Sequence, residues 1–231
     1  MHAALSDPHT IHPSLWRASQ LAGARERCVD TGYAALSAEL PGGGWPVGTL
    51  VELLVQQPGI GEMRLLRPAL RALGHKPLML LQPPHQPNSL AFANWQVPTE
   101  HLYLIETTTT ADALWTAEQI LRAGSCAVLL FWQQQIRTEA LRRLHLAAQA
   151  GDTLFLMIRP LAAVQQASPA PLRLSLTPAE DGVAIRFVKR RGPAHDAPLV
   201  LPLAPLPVHR KLPAEQPAVP QPEAAPLADG R

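Results

Sequence analysis

Five short and almost uninterrupted apolar runs dominate the middle of this chain: Thr49–Val55, residues 77–81, Leu102–Ile105, residues 127–132 and residues 153–158. Runs of that length without alternation are strands buried on both faces, the condition of a strand inside a parallel sheet. Between them lie amphipathic stretches. Thr110–Ala123 begins with a capping threonine, sets Leu114, Ala117, Ile120 and Leu121 on one side, and meets Gly124 where a left-handed C-terminal residue belongs. A second helix is expected from a Thr138 cap through Leu141, Leu144 and Ala148 to Gly151. Strands alternating with helices require right-handed crossovers and helices on both faces of a mostly parallel sheet, so the fold class is α/β.

After Ala170 the period changes. Residues 172–176 and 183–188 alternate apolar and polar positions around a Pro-Ala-Glu-Asp-Gly turn, which predicts an antiparallel hairpin at the sheet edge. Of the 25 prolines, 10 follow Gly192, so the folded part is expected to stop near there. The expected organisation is an N-terminal arm over residues 1–30 with a short helix at 15–27, a core over 31–193, and a flexible Pro/Ala-rich tail over 194–231.

A formal charge of +2 is too small to mark a dedicated nucleic-acid binder. Cys28 and Cys126 stand far apart with no metal-ligand spacing, and His2, His9 and His12 have no cysteine or carboxylate partner, so neither a disulfide nor a metal site is expected. The longest apolar run, residues 126–132, is too short to span a membrane, which predicts a cytoplasmic protein.

The loop between the first buried strand and the next helix is where phosphate-binding folds place a glycine-rich anion cradle. Here it reads Gln56-Gln57-Pro58-Gly59-Ile60-Gly61-Glu62-Met63. Against GxxxxGK[ST], Gln56 stands for the first glycine, Glu62 for the lysine and Met63 for the hydroxyl residue, leaving only Gly61. The lysine would supply positive charge to terminal phosphates and the hydroxyl would hold magnesium. Glu62 reverses the charge, Met63 cannot bind the metal, and no cofactor is expected.

The neighbourhood of the loop carries a resemblance. Thr31-Gly32, then Leu40-Pro41-Gly42-Gly43-Gly44-Trp45-Pro46-Val47-Gly48, then Val51-Glu52-Leu53 resembles the entry to the RecA ATPase core. The resemblance implies a RecA-like three-layer core, with a catalytic Glu expected near Pro84 and a magnesium-binding Asp after Trp132. The sequence has Pro84-His85 and Gln133 at those places. Together with Leu15-Trp16-Arg17 and Lys189-Arg190-Arg191-Gly192-Pro193, the Leu40-to-Pro46 element resembles the ImuA family of inducible translesion-synthesis gene clusters. That resemblance implies a non-catalytic accessory protein of the DNA-damage (SOS) response. Its implied partners are an ImuB-like Y-family polymerase homologue, an error-prone DnaE-type polymerase and RecA. Two alternatives stay open: a division inhibitor resembling SulA, which also has a RecA-like fold without ATPase motifs and binds FtsZ, and a residual ATPase using displaced residues.

Candidate contact residues are basic or aromatic. Arg64, Arg67 and Arg71 share one helix face, which serves either as a patch for DNA or an acidic partner or as plain solvated surface. Pro68 is expected to bend or shorten that helix. Lys189, Arg190 and Arg191 are three consecutive cations that cannot all pair locally, either a contact site or a soluble cap on an edge strand. Trp45, in its glycine-rich turn, is the aromatic candidate for an interface, against core packing as the other use.

Overall fold

The computed structural model describes residues 27–192 and 197–203, so the expected helix at 15–27 (Arg27 apart), the N-terminal histidines and the tail beyond Leu203 lie outside the described residues. The chain runs β1 (Cys28–Val29), α1 (Ala34–Glu39), a 3-10 turn (Pro41–Gly43), β2 (Trp45–Pro46), β3 (Thr49–Val55), α2 (Glu62–Leu73), β4 (Leu78–Leu81) and α3 (Ser89–Asn94). It continues through β5 (Leu102–Ile105), α4 (Thr110–Ala123), β6 (Val128–Trp132), α5 (Thr138–Ala148) and β7 (Leu154–Pro160) to a 3-10 segment (Leu161–Gln165). The last elements are β8 (Leu172–Ala179), β9 (Gly182–Lys189) and β10 (Leu199–Pro202).

Eight strands form one sheet in the order β10-β9-β8-β3-β7-β6-β4-β5. From β8 to β5 every pairing is parallel, while β9 and β10 are antiparallel additions. Alternate residues of each central strand feed two cores. Val51, Leu53, Leu130, Leu156 and Leu174 pack against α1, α2 and α3 on one face. Leu50, Leu129, Phe131, Phe155 and Met157 pack against α4 and α5 on the other. Both sides of β3, β6 and β7 are dry, which is why those strands read as almost continuous apolar runs; β5 is corrected, because it ends the sheet and leaves Tyr103 and Leu104 exposed.

Local chemistry sets the helix ends. Thr109 Oγ1 accepts the Asp112 N–H at 3.1 Å and Gly124 closes α4 in the left-handed region at φ 57°. Thr138 is the first residue of α5 and not its cap, because Arg137 takes the extended cap position, and the helix stops at Ala148. Pro68 does not interrupt α2, which continues for 12 residues. A proline deprives the carbonyl four residues earlier of its donor. Here that carbonyl belongs to Arg64, and the Tyr33 hydroxyl donates to it at 3.2 Å. Burial raises the Tyr33 pKa, opposed by the nearby Arg67 and Arg64 charges, so the phenol keeps its proton for this bond. The ring of Pro68 also covers Gly32, where a Cβ would lie 2.3 Å from it.

The folded unit extends past the boundary expected at residue 193. Leu199–Pro202 pairs antiparallel with β9, and Leu201 and Leu203 are buried in the larger core. This strand is a short alternation hidden among prolines, and it is accepted because it occupies the sheet edge, where Pro202 lacks nothing that a partner strand needs. Among the described residues, no helix is long and apolar enough to cross a membrane.

Candidate functional site

The carboxyl ends of β3, β4, β6 and β7 open onto a cleft of about 620 Å³, the place where open α/β sheets bind ligands. Gln56, Gln82, Thr108, Trp132, Gln133 and Arg159 are among the residues that line it. Pro84 and Gln133, just past the ends of β4 and β6, bring a ring and an amide to the cleft. Gln82 is held at φ 55°, and its amide donates to the Thr107 carbonyl at 2.7 Å and to the Thr107 hydroxyl at 2.6 Å. Gln133 is fixed through its own amide to the Gln135 carbonyl at 2.9 Å. This lining offers amide and hydroxyl hydrogen bonds to a polar ligand.

The glycine-rich loop is closed from within. Glu62 is the first residue of α2, is 2% exposed, and turns its carboxylate back onto the loop. Oε1 accepts the Gly59 N–H at 2.8 Å and Oε2 the Gly61 N–H at 3.2 Å. These are backbone donors of the kind that cradle a phosphate, at a helix N-terminus whose dipole favours negative charge. The Glu62 carboxylate therefore satisfies the loop's own N–H groups at the start of α2. Gly61, at φ 129°, and Gly59, at φ 87°, supply the backbone geometry that lets both N–H groups converge on one side chain.

Behind the cleft lies a buried ionic network. Glu52 on β3 accepts from Arg159 Nη1 at 2.7 Å and from Arg173 Nε at 2.5 Å, with both Glu52 and the Arg159 side chain fully buried. Arg159 also reaches the Gln166 side chain at 2.5 Å, and Arg173 the Ala163 carbonyl at 2.8 Å, which ties the 3-10 segment over the sheet. The charge of Arg159 is thus directed at Glu52. The network was not anticipated, although its signal is visible in the sequence as one glutamate inside an apolar run and arginines in two other strands.

The predicted contact groups lie apart from one another. Lys189, Arg190 and Arg191 sit at the opposite end of the sheet from the amide cleft, in a second depression shared with Arg27 and His145. Burial and the Lys189 charge lower the His145 pKa, so that imidazole is neutral at physiological pH. The expectation was that the three cations cannot all pair locally, and the partners found are remote in sequence. Arg190 pairs with Glu39 at 2.7 Å and lies 4.8 Å over the Phe187 ring, and Lys189 donates to the Ser168 carbonyl at 3.0 Å. These partners are distant in sequence, so local counting could not find them. Trp45 is corrected too: it is 0% exposed, because the β1–β2 ladder places it opposite Val29 and turns its ring into the core. Arg64, Arg67 and Arg71 do line one surface with Tyr33 and Pro68, yet Arg64 is committed to the Leu203 carbonyl at 2.7 Å. Among the described residues, no cluster of three potential metal ligands occurs.

No family model matches the chain. Over 98 residues it is 30% identical to the cell division inhibitor SulA of Edwardsiella piscicida, a stretch making up 42% of this chain and 58% of that protein. The chain therefore spans less than two thirds of the length of this curated relative. It is also similar to the crystal structure of SulA from Pseudomonas aeruginosa, with 27% identity and a TM-score of 0.40 over 48% of this chain and 97% of that one.

Proposed function

We propose that this chain is a non-enzymatic protein of the DNA-damage response that works in the cytoplasm by binding another protein, and that its action is SulA-like inhibition of cell division through the division GTPase FtsZ. The 30% identity with a cell division inhibitor over 98 residues carries this reading. The closed loop supports the non-enzymatic part, since Glu62 already occupies the donors that a nucleotide phosphate needs. A parallel sheet with helices on both faces and a loop in the phosphate-binding position supports descent from a RecA-like ATPase whose scaffold was kept and whose chemistry was lost.

Expression of the full chain in a dividing bacterium tests the proposal. Long filaments with unsegregated division sites are expected, together with reduced FtsZ polymerisation when the purified chain is added in stoichiometric amounts. Normal cell length at high expression and unchanged light scattering by FtsZ would overturn it.

A second reading is favoured by extent. The described residues, 27–192 and 197–203, are far more than the 98 shared with SulA, and they include the Leu40-to-Pro46 element and Lys189 to Arg191, part of the set on which the ImuA resemblance rests. In that reading the same scaffold holds an ImuB-like polymerase homologue and a DnaE-type polymerase together after damage. Co-purification of the ImuB-like subunit, with division left untouched, would select it.

A further inference from the structure

The outer face of α2 breaks a rule that solvated helices keep. Arg64, Arg67 and Arg71 stand on it at positions i, i+3 and i+7, opposite Leu65, Leu66, Ala69 and Leu70 in the core. A helix face that serves only solubility sets acids three or four residues from its bases. Here the residues at those distances from Arg67 are Met63, Arg64, Leu70 and Arg71, and those from Arg71 are Arg67, Pro68, Gly74 and His75. No acid is among them, and Arg67 with Arg71 is a like-charge i, i+4 pair, which weakens a helix.

Tertiary contacts bring no relief. Among the described residues, Arg67 and Arg71 make no ion pair and no hydrogen bond. Arg67 is half-buried, so part of its side chain has already lost water. Asp30 accepts the Gly32 N–H at 3.1 Å and pairs with neither arginine. Burial raises the Tyr33 pKa and the Arg67 and Arg64 charges oppose it, so their field reaches the facing wall. The three arginines line a groove of about 470 Å³ between α2 and the Gly32–Tyr33 turn. That wall is fixed: the Tyr33 hydroxyl donates to the Arg64 carbonyl at 3.2 Å, and Pro68 closes on Gly32, where a Cβ would lie 2.3 Å from the ring.

Arginine, and not lysine, occupies all three positions. A guanidinium presents paired N–H donors that match a carboxylate or a phosphate. Arg67 and Arg71 are one helical turn apart, with Cβ atoms roughly 6 Å from each other, so they match two oxyanions at about that spacing. The extent of the patch decides between the sources. Nucleic acid binds through many phosphate contacts and a broad positive field. Three arginines cover only roughly 10 Å of helix at about 1.5 Å per residue, and the whole chain carries a formal charge of only +2. Two acids one turn apart on a partner helix need no more than that.

We propose that the groove between α2 and the Gly32–Tyr33 turn binds an acidic segment of a partner protein, with Arg67 and Arg71 each holding one carboxylate. Arg64 stays on the Leu203 carbonyl and adds its charge from the side. This deepens the reading that the chain binds another protein, but the test uses the purified chain and a synthetic peptide, so failure here leaves the cell-division experiment untouched.

Calorimetry of the full chain at low salt probes the groove with an alanine-based helical peptide bearing glutamates at i and i+4. Saturable binding is expected, weakened as salt screens the charges, and absent for the same peptide with glutamines. R67Q/R71Q should weaken binding by about tenfold per arginine, the loss of one charge-assisted contact each. R67K/R71K should fall between that variant and the parent, keeping charge without the fork. Since neither arginine bonds within the described fold, the melting temperature of R67Q/R71Q should stay level or rise as the repulsion goes. No binding of the acidic peptide would overturn the proposal, as would equal binding of the glutamine peptide or equal binding by R67Q/R71Q. So would a drop in the R67Q/R71Q melting temperature, which would assign the arginines to the fold. Tighter binding of a single-stranded oligothymidylate than of the acidic peptide would also overturn it, since the site would then belong to nucleic acid.

Discussion

Replacing Glu52 by glutamine is expected to lower the unfolding free energy by about 3–5 kcal/mol, the usual loss when one partner of a buried ion pair is removed. Glutamine keeps nearly the same volume, so the loss comes from charge and not from a cavity. Arg159 and Arg173 are left as two buried guanidinium groups facing each other across β3. A single amide oxygen cannot serve both, and the amide N–H groups repel the second. For a domain of this size the melting temperature should fall by roughly 6–20 °C. Urea melts of the two chains read the effect. A loss below about 1 kcal/mol, the range of an exposed pair, would mean that water reaches the network and that it does not fasten the 3-10 segment to the sheet. Replacing all three members by apolar residues of matched size should restore much of the loss, as found for buried ion pairs in general.

Replacing Glu62 by alanine is expected to have two effects of opposite sign. Removing the carboxylate leaves the Gly61 N–H buried without its acceptor and the start of α2 without its negative charge, a loss of about 1–3 kcal/mol. The emptied cradle then becomes available to a small anion. Inorganic phosphate should stabilise the E62A chain and not the parent. With a dissociation constant near 1 mM, 10 mM phosphate would return roughly 1.4 kcal/mol. Thermal melts with and without phosphate separate the cases. Equal stabilisation of both chains by phosphate would show that Glu62 does not occupy the anion position.

The contrast between Glu62 and Trp45 shows what was legible in the sequence. The parallel strands were readable because Thr49–Val55 and Val128–Trp132 are dry on both faces and so are almost wholly apolar, with Glu52 and its buried partners the exception inside the first. Glu62 was readable as the wrong charge for a phosphate loop, but its direction was not. Which donors a side chain meets depends on the positive φ angles of Gly59 and Gly61, and a residue string records only that such angles are allowed. Trp45 was misread because a glycine-rich turn suggests exposure. The turn is instead pinned under β1, where a Cβ on Gly44 would lie 2.4 Å from the Val29 carbonyl oxygen. The partner of Arg190 was not legible, since Glu39 is separated from it by most of the sequence. The amide cleft could not be foreseen as a unit. Gln56, Gln82 and Gln133 belong to three different strand ends that only the crossovers bring together.

The closed cradle is tested most directly by calorimetry of the purified full chain with magnesium and ATP. With the Glu62 carboxylate on the Gly59 and Gly61 N–H groups, no binding heat should appear at millimolar nucleotide, and no phosphate should be released on long incubation. A saturable isotherm in the micromolar range that depends on magnesium would contradict it.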